Sequence, residues 1–237
     1  MVSGASSGIG AATACVLAAA GATVALVARR PASLARVAAG IAANGGAAVC
    51  LAADLADDGS PEDVVARVVG ELGRIDVLVN NAGAALVGPV LGADPAEWSR
   101  MVDLNLAAVL GLSRAALPHL LAAAEGPRGV ADLVTVASIA GRRPQAGAAV
   151  YAATKAATQA FSESLRQEVA TRQVRVGLVS PGAVHTEAAV VANARAGRTD
   201  TAYLDVEDLA GAIEFMVTRP AGMAVNEVVV RPTQQVG

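Results

Sequence analysis

Lysine occurs once in this 237-residue chain, at position 155, against 17 arginines. It stands four residues after Tyr151, one of two tyrosines, in the stretch "YAATK". On a helix, positions i and i+4 share a face. A compact ammonium beside a phenol favours the phenolate, lowering its pKa from about 10 toward working pH. Arginine's broad fork would not fill the same role. The pair reads as a proton-transfer device, with surface decoration as the alternative for an isolated Tyr-x-x-x-Lys. Ser138 ends a predicted strand one loop earlier, so its hydroxyl and that of Tyr151 can converge on one substrate oxygen. His119 and His185 have no metal-like partners, and no metal site is expected.

The amino-terminal stretch "SGASSGIG" places Gly4, Gly8 and Gly10 in a loop leading into a helix. Exposed backbone N–H groups and the positive end of the helix dipole make such a loop an anion site suited to a pyrophosphate. A tight structural turn is the competing reading. The second predicted strand ends Ala28-Arg29-Arg30. An acid at that place binds a ribose 2′-hydroxyl, whereas arginine accommodates a 2′-phosphate, so NADP is favoured over NAD. A solvated loop or helix start is the competing reading of the two arginines. Asn80-Asn81-Ala82-Gly83 and Ser180-Pro181-Gly182 close two further strands, as plain turns or as loops facing a cofactor.

The elements that must position these residues are short β-branched runs alternating with Ala-rich helices. Strands are expected at Thr23–Ala28, Ala47–Ala53, Asp76–Asn80, Asp132–Ser138, Val174–Ser180 and Glu227–Pro232. They are continuously apolar, as in a parallel sheet buried on both faces. Helices are expected from about Ile9 to Ala20, stopping at Gly21, from an N-cap near Ser60 with Pro61, Glu62 and Asp63 behind it, and over roughly Val150 to Thr171. This β-α-β order implies a single α/β domain over residues 1–237, a doubly wound Rossmann-type parallel sheet with helices on both faces.

Composition narrows the function. The net charge is −3 with no basic stripe, which disfavours nucleic acid and anionic membranes. Residues 1–28 are uncharged, but the glycines and serines among them argue against a span, and Arg29 and Arg30 follow the apolar stretch instead of preceding it. Cys15 and Cys50 lie in apolar stretches and are expected as buried free thiols of a reducing cytoplasm. The first strand is truncated, since only Met1 to Ser3 precede the loop where strands usually run about 5 to 6 residues. That shortness leads to the expectation that the natural chain begins upstream.

Taken in order, the pieces resemble the short-chain dehydrogenase/reductase family from Ser3 to the end. They are the glycine loop, Asp54 after the third strand, "NNAG" at 80–83, Asn105 in "DLNLA", Ser138 in "VASIAG", "YAATK", and "PGAVHT" at 181–186. The C-terminal "NEVVVRPTQQV" resembles bacterial NADP-dependent reductases of the clavaldehyde-dehydrogenase and 3-hydroxy-acid-dehydrogenase type. The resemblance implies a reductase or dehydrogenase in which Tyr151 is general acid and base, Lys155 lowers its pKa and holds the nicotinamide ribose, Ser138 polarises the carbonyl, and Asn105 anchors a water in the proton relay. It implies that Gly4, Ser6, Ser7, Gly8, Ile9 and Gly10 cradle the pyrophosphate and that Arg29, with Arg30, meets the 2′-phosphate. Asp54 and Leu55 would lie by the adenine, and Asn81, Ala82 and Gly83 along the cofactor. Pro181, Gly182, Val184 and Thr186 would flank the nicotinamide, Thr186 at its carboxamide. Ala137 stands where many relatives carry a second serine.

The substrate implied is a small alcohol, aldehyde or ketone, and the assembly a homo-oligomer, tetramer or dimer. Arg142, Arg143, Arg195 and Arg198 offer positive charge for an acidic substrate, or simply a solvated surface. A catalytically silent NADP-binding sensor or scaffold of the same fold is the alternative function. Retention of Asn105, Ser138, Tyr151 and Lys155 together favours the enzyme.

Overall fold

The computed structural model describes residues 1–195 and 202–235. The β-branched runs form the strands, labelled β1 (Val2–Ser3), β2 (Thr23–Ala28), β3 (Ala47–Ala52), β4 (Val77–Asn80), β5 (Ala131–Val136), β6 (Val174–Pro181) and β7 (Glu227–Val230). All pair in parallel in the order β3-β2-β1-β4-β5-β6-β7. The helices are α1 (Gly8–Ala19), α2 (Pro31–Ala43), α3 (Ser60–Leu72), α4 (Pro95–Val102), α5 (Ala108–Ala124), α6 (Ala149–Val169), α7 (Glu187–Arg195) and α8 (Val206–Val217).

Two apolar layers sandwich the sheet. Val64, Val68, Leu112, Leu120 and Leu165 of α3, α5 and α6 pack with Leu78 and Leu133 on one face. Leu17, Leu34, Leu209 and Ile213 of α1, α2 and α8 pack with Val24, Val79 and Val179 on the other. The central strands β5 and β6 are accordingly buried throughout. β3 departs from the expected double burial: it is an edge strand, and only Leu51 in it is fully buried.

β1 is as short as expected and central, pairing with β2 through Val2↔Leu26 and Ser3↔Val27 and with β4 through Val2↔Val79. Its ladder continues one residue back, where the Met1 ammonium donates to the Val77 carbonyl at 2.8 Å and burial lowers its pKa to about 5. The chain doubles back at β1, with β2 to one side and β4 to the other. In doubly wound sheets that switch point opens a crevice at the carboxyl ends of the strands.

Two local expectations are corrected. The N-cap of α3 is Gly59 (φ +73°) rather than Ser60, which is the first helical residue. Cys15 and Cys50 are both exposed free thiols, because Cys15 faces out from α1 and Cys50 sits on the edge strand. α4 and α5 are one continuous helix joined by a π-helical turn at Asp103–Ala107. This run, Pro95 to Ala124, is long and apolar enough to cross a membrane. In the fold its inner face, with Met101, Leu112, Ala116 and Leu120, belongs to the buried interior.

Candidate active site

The crevice is a cleft of about 620 Å³ running over the ends of the central strands. One end is built by the glycine loop between β1 and α1. Gly4 (φ +67°) and Gly8 (φ +56°) occupy the left-handed region that glycine alone enters freely. Gly10 is required for space: a Cβ there would lie 2.4 Å from both the Gly4 carbonyl oxygen and Asn81 Nδ2. The Ser7 side chain makes no capping bond at the start of α1. The first-turn N–H groups thus point, with the helix dipole, at the cleft.

Ser3, which the sequence reading passed over, locks this loop to β4. Its Oγ accepts the N–H groups of Asn81 (2.9 Å) and Ala82 (3.0 Å) and donates to the Val79 carbonyl (3.3 Å). Asn81 Nδ2 in turn donates to the Ser3 carbonyl at 2.9 Å. Asn81, Ala82 and Gly83 line the floor of the cleft as a result.

The two arginines after β2 part company. Arg30 Nη2 reaches back over the loop, donating to Ser7 Oγ (3.2 Å) and Ser6 Oγ (3.4 Å). Arg29 Nη1 lies 3.9 Å from Asp54 Oδ2, which Arg100 of α4 binds at 2.5 Å. Arg100 is a second residue missed from sequence, brought in across 46 positions by the helix packing. Asp54 also accepts the Ala56 N–H, and although burial raises its pKa, this bond and the arginines bring it below the usual carboxylate range.

Ser138, Tyr151 and Lys155 meet at the other end. Ser138 follows β5, and its hydroxyl accepts the Ala140 N–H at 3.1 Å while its carbonyl accepts Gln159 Nε2 at 2.8 Å. Tyr151 opens α6, hydrogen-bonds with Ser138, and lies with Lys155 Nζ 5.9 Å from its ring centre. Lys155 Nζ donates to the buried Val136 carbonyl at 2.8 Å, and burial lowers its pKa to about 8. The expected depression of the tyrosine does not occur in this structure. Burial is the dominant influence and raises the phenol, against a smaller lowering by Ser138.

Nearly all the sequence-selected residues line this one cleft: Gly4, Ser6, Ser7, Gly8, Ile9, Arg29, Arg30, Asp54, Leu55, Asn81 to Gly83, Ser138, Tyr151, Lys155, Pro181, Gly182, Val184 and Thr186. Gly10 and Asn105 stand behind the wall. Asn105, fully buried in the π-helical turn, spends its amide on the backbone of Ala84, accepting its N–H and donating to its carbonyl at 2.8 Å each, and on Thr154 Oγ1 at 3.2 Å. Of the arginines considered for an acidic substrate, Arg142 and Arg143 are not brought in. Arg142 pairs with Glu227 at 2.5 Å, and neither it nor Arg143 lines the cleft, while Arg198 and the Arg195 side chain lie outside the described residues. Small or apolar side chains line it, among them Ala84, Ala85, Leu86, Ala137, Ala188 and Val191, together with the acid Glu187.

This arrangement joins a glycine-rich loop at a helix amino end to a hydroxyl pair beside a buried amine. The family model for short chain dehydrogenases matches residues 1–197. The chain belongs to the short-chain dehydrogenase family. An uncharacterised oxidoreductase of Staphylococcus epidermidis is 34% identical over 232 residues, covering 98% of this chain and 96% of that one. A metagenomic short-chain oxidoreductase solved in complex with NADP is 36% identical with a TM-score of 0.83, covering 98% and 96% of the two chains. An NADH-dependent reductase responsible for alginate metabolism is 31% identical with a TM-score of 0.85, covering 99% and 96%.

Proposed function

We propose that this short-chain dehydrogenase is an NADP(H)-dependent oxidoreductase acting on a small alcohol, aldehyde or ketone, with Tyr151 delivering the proton. The observation that carries the reading is the convergence in one cleft of the Ser138–Tyr151 hydroxyl pair beside Lys155 with the open amino end of α1 under Arg30. The glycine loop fits a pyrophosphate: the start of α1 carries no side-chain cap, and a Cβ at Gly8 would come within 3.2 Å of Thr186, which also lines the cleft. When bound, the nicotinamide supplies the hydride. Arg30, with Arg29 beside it, holds the 2′-phosphate, Asp54 and Leu55 flank the adenine, and Thr186 and the 181–184 segment flank the nicotinamide.

At the reacting end Tyr151 remains a phenol at neutral pH, the form that can donate to a substrate oxygen. Ser138 hydrogen-bonds the same oxygen and, with Lys155, favours the phenolate left behind. Asn105 is a positioning residue that sets the loop at Ala84. The short and apolar side chains of Ala84, Ala85 and Leu86 in the lining support a small substrate. Free thiols at Cys15 and Cys50 support a reducing compartment such as the cytoplasm, and the exposed Phe215, Met223 and Val229 support a homo-oligomer.

Coenzyme choice tests the reading directly. A ligand at 100 times its Kd stabilises by about 2.7 kcal/mol, so NADPH should raise the melting temperature more than an equal concentration of NADH. Arg30→Ala should weaken NADPH binding by about ten- to a hundredfold, the worth of a charge-assisted contact, and leave NADH binding nearly unchanged. Stronger stabilisation by NADH in the unaltered protein contradicts the assignment.

A further inference from the structure

The wall of the cleft at Pro181–Thr186 is held from outside by the chain's far end. The Gly182 N–H donates to Val230 of β7 (2.7 Å), that of His185 to the Leu204 carbonyl (2.8 Å), and that of Thr186 to Val184 (2.8 Å). Ala183 differs: its N–H donates to a side chain, Oε1 of Gln235, at 3.1 Å across 52 positions. Gln235 is brought there by a turn in which its own N–H donates to the Pro232 carbonyl at 2.9 Å. Gly182 leaves the room for this contact, since a Cβ there would come within 2.1 Å of Gln235 Oε1 and 3.3 Å of Pro232 Cδ. Gly182 and Ala183 both face the cleft, and Gln235 does not.

We propose that Gln235 is a positioning residue for coenzyme binding, its amide oxygen holding Gly182 and Ala183 at the spacing that the nicotinamide half of NADP(H) requires. The inference rests on the NADP(H) reading above. Removing the acceptor leaves the Ala183 N–H without its partner and releases the wall between its anchors on β7 and Leu204.

The test compares Gln235→Leu, which keeps size and loses the acceptor, with Gln235→Glu, which keeps an acceptor at the same reach. NADPH Kd is measured by titration, kcat and KM by carbonyl-dependent NADPH oxidation, and Tm without ligand. Gln235→Leu should raise NADPH Kd and KM about five- to tenfold, as expected for one lost hydrogen bond. Tm without ligand should stay within about 3 °C, and Gln235→Glu should restore wild-type binding. Unchanged NADPH Kd in Gln235→Leu overturns the proposal, as does an equal loss in both variants, or a fall in Tm with no change in Kd. If the unaltered protein binds no NADPH, the cofactor reading itself fails; if it binds and Gln235→Leu binds equally, only the role of Gln235 fails.

Discussion

Tyr151 and Lys155 answer burial in opposite directions, and this sets the pH behaviour of the site. Desolvation disfavours the charged form of each, so the phenol rises above its ordinary value of about 10 while the ammonium falls to about 8. As pH rises, the lysine therefore loses its charge first, while the tyrosine still holds its proton. The kcat/KM for carbonyl reduction, which reports the free enzyme, should be level near pH 7 and bend down at about pH 8. A profile level to pH 10 would contradict a role for the Lys155 charge. The pair was legible because lysine is used once, four residues from a tyrosine. The direction of the tyrosine's shift was not, because burial of the phenol depends on the β5 and α6 packing that no local spacing encodes. Ser3, Arg100 and Gln235 were missed for a related reason: each acts on a partner more than 40 positions away.

Among the elements, the turn between β1 and α1 has the tightest steric demands. Gly10 belongs to the first turn of α1, and any side chain there meets the Gly4 carbonyl and the Asn81 amide. Gly10→Ala should cost about 1–3 kcal/mol through overpacking. At about 2–4 °C per kcal/mol for a chain of this size, the unliganded Tm should fall by several degrees, and stabilisation by NADPH should shrink with it. An unaltered Tm and unaltered NADPH response would show that the loop is not packed in this way. The strands, and α1 and α6, lay within a few residues of their expected places because continuous apolar runs and glycine stops mark them. The π-helical turn that buries Asn105 has no periodic signature in "DLNLA", and the exposure of β3 depends on its place at the sheet edge, which is topological.

Across the whole molecule, the end of the sheet opposite the cleft is tied by a buried ionic cluster. Asp132, near the start of β5, accepts Arg175 Nε (2.7 Å) and Nη2 (3.0 Å) and Arg128 Nη2 (2.6 Å). Arg175 also donates to the carbonyls of Val217, Arg219, Pro220 and Met223, and Arg128 to that of Val217, pinning the end of α8. Removing Asp132 strands the buried Arg175 guanidinium and leaves the half-buried Arg128 without its carboxylate, which typically costs about 3–5 kcal/mol. Asp132→Ala should lower Tm by roughly 10 °C and leave NADPH Kd unchanged, since the cleft lies at the other ends of the strands. A loss of NADPH affinity without loss of Tm would reverse that division of labour. The doubly wound order itself could be read from the alternation of runs, and the central place of β1 followed from it. The cluster could not, because Arg175 reaches Asp132 only once β5 and β6 pair, and the Val217 carbonyl reaches both arginines only once α8 closes over them.

The role of Tyr151 as proton donor is tested most directly by Tyr151→Phe. The substitution removes one hydroxyl and keeps the ring. Carbonyl-dependent NADPH oxidation should fall by about 10²–10⁴-fold, the usual worth of a positioned acid, with NADPH Kd within about twofold of the unaltered protein. Turnover at the unaltered rate in Tyr151→Phe would contradict the mechanism proposed for this cleft.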